Sequence, residues 1–334
     1  LHGAHDIGHA VHDLALVGCT SFAVWGNKTE DGGLILGRNF DFYAGDAFAK
    51  DKIVAFINPK EGYPFMMVTW PGMIGVCSGM NAEGLTLTIN AGKSKIPLSA
   101  KTPISIVTRE ILQYARTINE AIAIAKAKKV FVSESIMVGS ANDNKAVLIE
   151  IAPDNLGVFE VSNDNQLVCS NHFQSDVLKE NDRNKDQIKN SHSQYRFDRM
   201  AQLLDESPKI TPQIAVDILR NKEGMNNLPL GYGNDKALNH LLAHHGIVFQ
   251  PSKRLVWVSA SPYQLGEFVC YDLNTVFKNR KVNDTIVSLE DETRNIAKDP
   301  FLETLAYQNY EPFRIKNKKM DSFIENKADL PVDF

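Results

Sequence analysis

Short apolar runs separated by turn residues fill the first part of the chain and predict β-strands. Between residues 20 and 90 these runs are rich in Val, Ile, Phe, Met and Thr, and clusters of Gly, Asn, Asp and Pro lie between them. The turn clusters fall at 30–33, 58–59, 70–72 and 81–84. The predicted strands are 20–24, 34–40, 53–57, 65–69, 75–78 and 85–89.

The rest of the chain alternates helical patterns with further strand-like runs. Apolar residues at helical spacing predict helices at 103–115, 119–128, 194–204 and 212–220. Strand-like runs at 135–138, 146–151, 156–160 and 166–169 separate the two helix pairs, and 246–249, 255–259 and 266–271 follow them. This order predicts an α+β fold, in which two antiparallel sheets pack face to face with helices outside.

Three polar or charged segments fall outside this pattern. Residues 179–190 predict a solvated loop, because almost every side chain there is charged or amide-bearing. Residues 276–334 are polar and mixed, and predict a C-terminal extension that packs on the domain. Residues 1–17 predict a short helix with four histidines at helical spacing, for which we expect a covering role rather than a metal site. The four are His2, His5, His9 and His12.

The composition excludes two classes of partner. Of the 334 residues, 43% are hydrophobic and 23% are charged, which is enough to bury a large core. A formal net charge of −4 gives no electrostatic basis for binding nucleic acid. No apolar run approaches the roughly 20 residues that a membrane-spanning helix needs. We therefore expect a soluble protein that neither binds nucleic acid nor spans a membrane.

Compartment and disulfide pairing stay open at this point. The chain starts at Leu1 rather than methionine, so we expect that an upstream segment was removed or left out. Export to the periplasm or out of the cell is therefore neither indicated nor excluded. Four cysteines are too few for a disulfide scaffold in so long a chain, but one pair among Cys77, Cys169 and Cys270 is left open.

Gly18 and Cys19 open the first predicted strand and suggest a thiol that cleaves its own chain. Glycine has no side chain to block attack on its carbonyl, and cleavage would leave Cys19 as a new N-terminus. Its α-amine could then serve as the base, because reference pKa values of about 7.7–8.0 for the amine and about 8.5 for the thiol are nearly balanced. On the second strand, Arg38 can favour the thiolate and Asp41 can orient the amine.

These residues and four later segments resemble the cysteine N-terminal-nucleophile (Ntn) hydrolases, and are most similar to the acyl-coenzyme A:isopenicillin N acyltransferase branch. Penicillin V acylase, bile salt hydrolase and acid ceramidase are related to it. The resemblance implies a four-layer αββα sandwich, with a pro-segment at 1–18, a catalytic domain at 19–275 and an extension at 276–334. The similar segments are Cys-Thr-Ser at 19–21, Gly-Arg-Asn-Phe-Asp-Phe at 37–42, Asn-Ala-Glu-Gly-Leu at 81–85, Ser-Asn-His-Phe at 170–173, Arg-Phe-Asp-Arg at 196–199 and His-His-Gly-Ile-Val-Phe-Gln-Pro at 244–251.

The resemblance also implies catalytic roles beyond the thiol. Asn171 would donate to the oxyanion, and Arg196 would reach the nucleophile and complete the positive charge around it. Asp41 would hydrogen-bond the protonated amine of the new N-terminus. Arg38 would favour the thiolate and brace the Asp41 carboxylate.

Substrate contacts are predicted less directly. Asn90 is a candidate for the oxyanion hole or for a substrate contact, and Phe65, Met66 and Trp70 are candidates for an apolar acyl pocket. The alternative, that these apolar side chains simply fill the core, stays open. Two further histidines are expected to be structural, since the amine already supplies a base. They are His172 and His245.

The sequence thus predicts an enzyme that acts on linear amides of small molecules through an acyl-thioester, without cofactor or metal. Water and an amine are both possible acceptors of the acyl group. The alternative is an uncleaved, inert module with a binding or structural role. A papain-like protease is disfavoured, because Cys19 lacks a Cys-Gly-x-Cys-Trp setting. Self-association into a homo-oligomer stays open.

Overall fold

The computed structural model describes residues 18–42, 46–94, 101–162, 164–278 and 288–325. Strands and helices alternate in blocks along these residues. The strands are β1 (Thr20–Val24), β2 (Ile35–Phe40), β3 (Ile53–Ile57), β4 (Phe65–Thr69), β5 (Ser78–Asn81), β6 (Leu85–Ala91), β7 (Glu134–Ser140), β8 (Lys145–Ile151), β9 (Leu156–Phe159), β10 (Gln166–Cys169), β11 (His245–Gln250), β12 (Leu255–Ser259) and β13 (Phe268–Asp272). The helices are α1 (Asp46–Lys50), α2 (Ile104–Tyr114), α3 (Ile118–Lys126), α4 (Asp182–Asn190), α5 (Ser193–Glu206), α6 (Pro212–Leu219), α7 (Leu273–Lys278) and α8 (Leu305–Glu325).

The strands form two antiparallel sheets. One has the order β10-β1-β2-β11-β12-β13, and the other runs β3-β4-β5-β6-β7-β8-β9 in sequence order. The second sheet is a simple meander, because each strand pairs with the next along the chain. The first sheet collects strands from both ends of the chain, so it brings β1 and β2 beside β11, more than two hundred residues away in sequence.

Three apolar cores separate four layers. Leu36, Met66 and Phe249 belong to the core that lies between the two sheets. A second core packs α2 and α3 against the outer face of the seven-stranded sheet, and a third packs α5 and α6 against the outer face of the six-stranded sheet. The expected α+β fold with two face-to-face antiparallel sheets and outer helices is confirmed.

Local sequence signals fix where several helices begin. The Thr117 hydroxyl accepts a hydrogen bond from the Glu120 N–H, and the Glu120 carboxylate accepts one from the Thr117 N–H, which is a capping box at the start of α3. At α6, the Thr211 hydroxyl accepts a hydrogen bond from the Ile214 N–H. Pro212 takes the first helical position, where no donor is needed.

Two predicted elements are wrong. The charged segment 179–190 was expected to be a loop, but its residues 182–190 form the helix α4, which Asn181 caps by accepting a hydrogen bond from the Arg183 N–H. Only Asn184 of that helix is buried, so it lacks the apolar stripe that would have identified it. The fifth strand begins at Ser78 rather than at residue 75, and it extends to Asn81, which the sequence assigned to a turn.

The two ends of the chain differ in what the structure describes. The predicted helix at 1–17, with its four histidines, lies outside the described residues. Near the other end, Phe301 packs with Leu241 and Leu265, and the Tyr263 hydroxyl donates a hydrogen bond to the Glu311 carboxylate on α8 at 3.1 Å. The segment that begins near residue 300 therefore packs on the body of the fold.

Candidate active site

The β1–β2 pairing brings Cys19 and Asp41 together. Thr20 lies opposite Asn39 in this antiparallel pair, so Cys19, just before β1, falls beside the residues that end β2. The Gly18 N–H donates to the Asp41 carbonyl oxygen at 3.1 Å. Arg38 lies opposite Ser21, which is two residues after Cys19. A local hairpin thus positions three of the predicted catalytic residues.

The thiol is almost completely buried and contacts a guanidinium. Cys19 is 1% exposed, and Nη2 of Arg38 donates to its Sγ at 3.7 Å. The Sγ in turn faces the Asp41 carbonyl oxygen at 3.9 Å. Burial raises the pKa of Cys19 to about 11, although the Arg38 charge and the hydrogen bond to the Asp41 carbonyl oxygen act to lower it. In the uncleaved chain that the structure describes, the thiol is therefore held protonated.

Arg38 is fixed by a set of buried acceptors. Nη1 donates to the Ser78 hydroxyl at 2.6 Å, and Nη2 donates to the carbonyl oxygen of Ile89 at 2.5 Å. Its guanidinium carbon lies 4.1 Å from the centre of the Phe40 ring. The expected brace from Arg38 to the Asp41 carboxylate is not observed, because these acceptors on the seven-stranded sheet hold the guanidinium instead.

The Asp41 carboxylate is buried without a hydrogen-bond partner on either oxygen among the described residues. Burial raises the pKa of Asp41 to about 7, while Arg196 and, to a smaller extent, Arg38 act to lower it. Such a group is costly to bury and is satisfied by a cation or a hydrogen-bond donor placed against it.

Asn171 and Arg196 form a pair at the edge of the same site. Nη2 of Arg196 donates to Oδ1 of Asn171 at 2.9 Å, and Nδ2 of Asn171 donates to the Ala91 carbonyl oxygen at 3.2 Å. Asp41 and Cys19 both act to raise the pKa of Arg196 against the lowering effect of burial, so the guanidinium is electrostatically coupled to both. The Asn171 amide keeps a second N–H hydrogen for another acceptor.

Asn90 connects the two sheets beside the thiol strand. The Ser21 hydroxyl on β1 donates to Oδ1 of Asn90 on β6 at 2.7 Å, and Nδ2 of Asn90 donates to the Cys169 carbonyl oxygen at 3.5 Å. The sequence assigned Ser21 no role beyond its place in the Cys-Thr-Ser segment, since a serine inside a strand does not by itself indicate a contact between sheets.

The three predicted pocket residues do not lie together. Phe65 and Met66 are consecutive on β4 and point to opposite faces of the sheet. Met66 joins the core between the sheets, whereas the guanidinium carbon of Arg109 on α2 lies 5.2 Å from the Phe65 ring centre. Trp70 is placed differently, with its ring centre 6.3 Å from that of Phe40. Of the three, Trp70 has the aromatic contacts that lead toward Arg38.

Four buried histidines lie in the same region, and two of them, His172 and His245, were expected to be structural. Nε2 of His245 lies 3.0 Å from the Ser78 hydroxyl, and Nδ1 of His245 lies 2.9 Å from Nδ1 of His244. His172 pairs with the Ser193 hydroxyl at 2.8 Å, and burial lowers its pKa to about 4. The His240 ring packs directly against the Cα of Gly18, so any side chain at position 18 would collide with it.

The Asn-Ala-Glu-Gly-Leu segment at 81–85 has a structural role. Nδ2 of Asn81 donates to the carbonyl oxygens of Leu112 and Ala115 at 2.9 and 2.7 Å, which satisfies the end of α2. Its Oδ1 accepts from the backbone of the turn, and Gly84 takes a φ of +75°, which favours glycine.

All four cysteines are free and buried, so no pair among Cys77, Cys169 and Cys270 is a disulfide. Within the described ranges, no group of three or more His, Cys, Asp or Glu side chains could hold a metal. No helix there is long and apolar enough to cross a membrane.

A cavity of about 280 Å³ between α6 and the segment near Phe301 includes none of the predicted site residues.

Comparison with known proteins identifies the family. Residues 28–261 match the model of the acyl-coenzyme A:6-aminopenicillanic acid acyl-transferase family. The chain belongs to this family. The resemblance to Ntn hydrolases is thereby confirmed. An uncharacterised protein of Archaeoglobus fulgidus is 25% identical over 157 residues, which are 45% of this chain but only 26% of that relative. The chain thus spans about a quarter of that relative's length.

Solved structures support the same fold. The N-acylethanolamine-hydrolyzing acid amidase ortholog of Caenorhabditis elegans superposes with a TM-score of 0.52 at 19% identity, over 70% of this chain and 93% of that one. A variant of the conjugated bile acid hydrolase of Clostridium perfringens gives a TM-score of 0.51 at 14% identity, over 77% of this chain and 93% of that one. At these identities the two superpositions show that the fold is shared.

Proposed function

We propose that the protein is an amidase or N-acyltransferase that acts on linear amides through a thioester on Cys19, after the bond between Gly18 and Cys19 has been cleaved. One observation carries this proposal. The Cys19 thiol, the Arg38 guanidinium and an Asp41 carboxylate without a described hydrogen-bond partner converge at the ends of two paired strands.

In the first step, the thiol attacks the carbonyl carbon of Gly18. The new S–C bond replaces the C–N bond to Cys19, and the nitrogen leaves as a free amine that has taken up the thiol proton. Water then hydrolyses the thioester. Asp41 is suited to pass that proton, because its pKa of about 7 leaves it partly ionised at neutral pH. The glycine at position 18 is required by the His240 ring that packs against it.

After cleavage, the new α-amine becomes the partner of the Asp41 carboxylate. An α-amine has a reference pKa of about 7.7–8.0, so it can take the thiol proton at neutral pH and return it to a leaving amine. Arg38, 3.7 Å from the sulfur, stabilises the thiolate. The remaining N–H of the Asn171 amide donates to the oxyanion, and Arg196 holds that amide through its oxygen.

The substrate is a small molecule whose acyl group binds beside Phe40 and Trp70. Two proteins of similar structure are named for hydrolysing N-acylethanolamines and conjugated bile acids. Whether water or an amine accepts the acyl group is decided by a product assay with an added amine.

Intact mass spectrometry after iodoacetamide treatment tests this proposal. We expect wild type to lose residues 1–18 and to carry the alkyl group on the new N-terminal Cys19. The Cys19→Ala protein should stay whole and inactive, whereas the matched control Cys270→Ala, which changes an equally buried thiol on β13, should be processed like wild type.

Two results would overturn the mechanism. One is a wild-type protein that hydrolyses amides with the bond before Cys19 intact. The other is a Cys19→Ala protein that keeps its amidase activity. An uncut wild type that neither hydrolyses amides nor reacts with iodoacetamide at Cys19 would instead indicate an inert module.

A further inference from the structure

Three aromatic rings pack against the ring of the buried His244, and a fourth, that of Phe42, packs against two of them. We call them the aromatic box: Phe40, Phe42, Phe48 and Trp70. The His244 ring centre lies 4.7 Å from that of Phe48, 5.5 Å from that of Trp70 and 5.9 Å from that of Phe40. The histidine is thus completely buried within the box, whereas three of the surrounding rings, those of Phe42, Phe48 and Trp70, keep some exposure.

One ring nitrogen of His244, Nε2, is buried and has no hydrogen-bond partner among the described residues. The other, Nδ1, pairs with Nδ1 of His245. A buried polar nitrogen without a partner costs free energy, and native proteins keep such groups where a ligand or an ordered water satisfies them.

The hydrogen bonds from Arg38 through Ser78 and His245 determine the tautomer of His244. Arg38 can only donate, so the Ser78 oxygen accepts from it, and the one described acceptor in contact with the Ser78 hydroxyl hydrogen is Nε2 of His245. Neutral His245 then carries its hydrogen on Nδ1 and donates it to Nδ1 of His244. Neutral His244 therefore carries its own hydrogen on Nε2, and presents an N–H donor to the aromatic box.

A lysine contributes positive charge to the two histidines. Nζ of Lys52 donates to the Ser259 carbonyl oxygen at 3.1 Å, and its charge acts on both His244 and His245. Burial lowers the pKa of Lys52 to about 8. The charged groups that act on the two histidines are Lys52 and Arg38, and no carboxylate contributes within the described part of the chain.

We propose that the aromatic box binds a substrate carboxylate, which accepts a hydrogen bond from Nε2 of His244 and pairs with the Lys52 ammonium. An anion is favoured because His244 has a free donor and is acted on by two cations, Lys52 and Arg38, and by no carboxylate in the described part of the chain. The inference rests on the proposed function, since it makes this box the substrate-recognition part of the Cys19 site. The preferred substrate is therefore an amide with an apolar segment and a free carboxylate.

The carboxylate can belong to either half of the amide, and matched substrates distinguish the two. The first pair is glutaryl-p-nitroanilide and pentanoyl-p-nitroanilide, which differ by an acyl-side carboxylate. The second pair is hexanoyl-glycine and hexanoyl-methylamide, which differ by an amine-side carboxylate. We expect wild type to favour one carboxylated member at least tenfold in kcat/KM. The Lys52→Met protein should lose that preference through a fall in kcat/KM on the carboxylated member.

Two variants control this experiment. Lys52→Arg keeps the charge and should keep most of the preference. Lys50→Met removes an exposed lysine two residues away and should behave like wild type. Equal turnover of charged and neutral substrates by wild type, or an equal loss on both in Lys52→Met, would overturn the proposal.

A binding measurement separates this inference from the proposed catalysis. Isothermal titration of wild-type protein should show hexanoate binding at least tenfold more tightly than hexanol, and Lys52→Met should abolish the difference. Hexanoate binding should also weaken as the pH rises through about 8, where Lys52 loses its proton. Preferential hexanoate binding without amide turnover would support carboxylate binding at the aromatic box and refute the proposed function. Equal binding of hexanoate and hexanol would refute the box even where Cys19 forms a thioester.

Discussion

Cys19 and Cys169 are two buried thiols on neighbouring strands of one sheet, and they differ mainly in the charges around them. Ser21 lies opposite Cys169 in the β1–β10 pair, and the two cysteines are 1% and 0% exposed. Nη2 of Arg38 donates to the Cys19 sulfur, whereas the Cys169 thiol donates to the Ser170 carbonyl oxygen at 3.4 Å.

Burial raises the pKa of both thiols, but the nearest charges act in opposite directions. For Cys19 the largest opposing effect is the lowering by Arg38. For Cys169 the largest charge effect comes from the Glu150 carboxylate, which raises its pKa further. Exposure therefore does not mark the nucleophile in the uncleaved chain. A guanidinium in contact and a carboxylate able to hold a new amine distinguish Cys19.

The largest expected effect is on amide turnover when each thiol is removed. Cys19→Ala should reduce kcat/KM on the order of 10⁴-fold or more, because it deletes both the nucleophile and the amine-forming residue. Cys169→Ala should stay within about threefold of wild type, since its sulfur has no place in the proposed chemistry. Rates are measured with an amide substrate that wild type is shown to cleave. Comparable losses in the two variants would remove the distinction between the thiols.

A second prediction concerns Asn171, two residues after Cys169. Asn171→Ala should lower kcat by about 10²–10³-fold with little change in KM, because the lost N–H serves the oxyanion rather than the bound substrate. Steady-state kinetics give the two parameters separately. Asn142→Ala is the matched control, because Asn142 also donates to a carbonyl oxygen, that of Arg116, but does so on the surface.

Asn171 also bridges Ala91 and Arg196, so its loss could act through folding. The melting temperature of Asn171→Ala is therefore measured in parallel. A wild-type kcat in this variant, or a rise in KM at constant kcat, would contradict the oxyanion role and would leave Cys19 without its expected donor.

The part of the site that sequence reasoning predicted well is local. The sequence predicts strands at 20–24 and 34–40, and an antiparallel pairing of neighbouring strands is enough to bring Cys19 beside Asp41. Asn171 and Arg196 were predicted from the resemblance alone. Their mutual hydrogen bond depends on how the end of β10 meets α5, which no local pattern records.

The parts that were missed depend on contacts between the sheets. Ser78 belongs to one sheet and His245 to the other, and Arg38 meets Ser78 only because the sheets are stacked. The expected contact between Arg38 and the Asp41 carboxylate is not observed for the same reason, since acceptors on the other sheet hold the guanidinium. Helix α4 was missed for a different reason, because it is polar on nearly all sides.

The smallest expected effect uses the pH dependence of stability to examine the carboxylate that distinguishes Cys19. In Cys19→Ala, which keeps the uncleaved chain, Asp41 has a folded-state pKa of about 7, above the ordinary value of 3.8. A carboxyl with a raised pKa binds its proton more tightly in the folded chain. Its contribution to stability is therefore fully present below about pH 4 and is lost as the pH rises through about 7.

Urea unfolding of Cys19→Ala and of Cys19→Ala with Asp41→Asn measures this contribution. Between about pH 5 and about pH 8, the free energy of unfolding should fall by about 2–3 kcal/mol more in the first protein than in the second. The buried histidines act in the other direction, because lowered pKa values such as that of His172, about 4, cost stability as the pH falls. They are shared by both proteins and cancel in the difference. Equal slopes would mean that Asp41 is already paired before cleavage, and the charge contrast between the two thiols would then lose its carboxylate component.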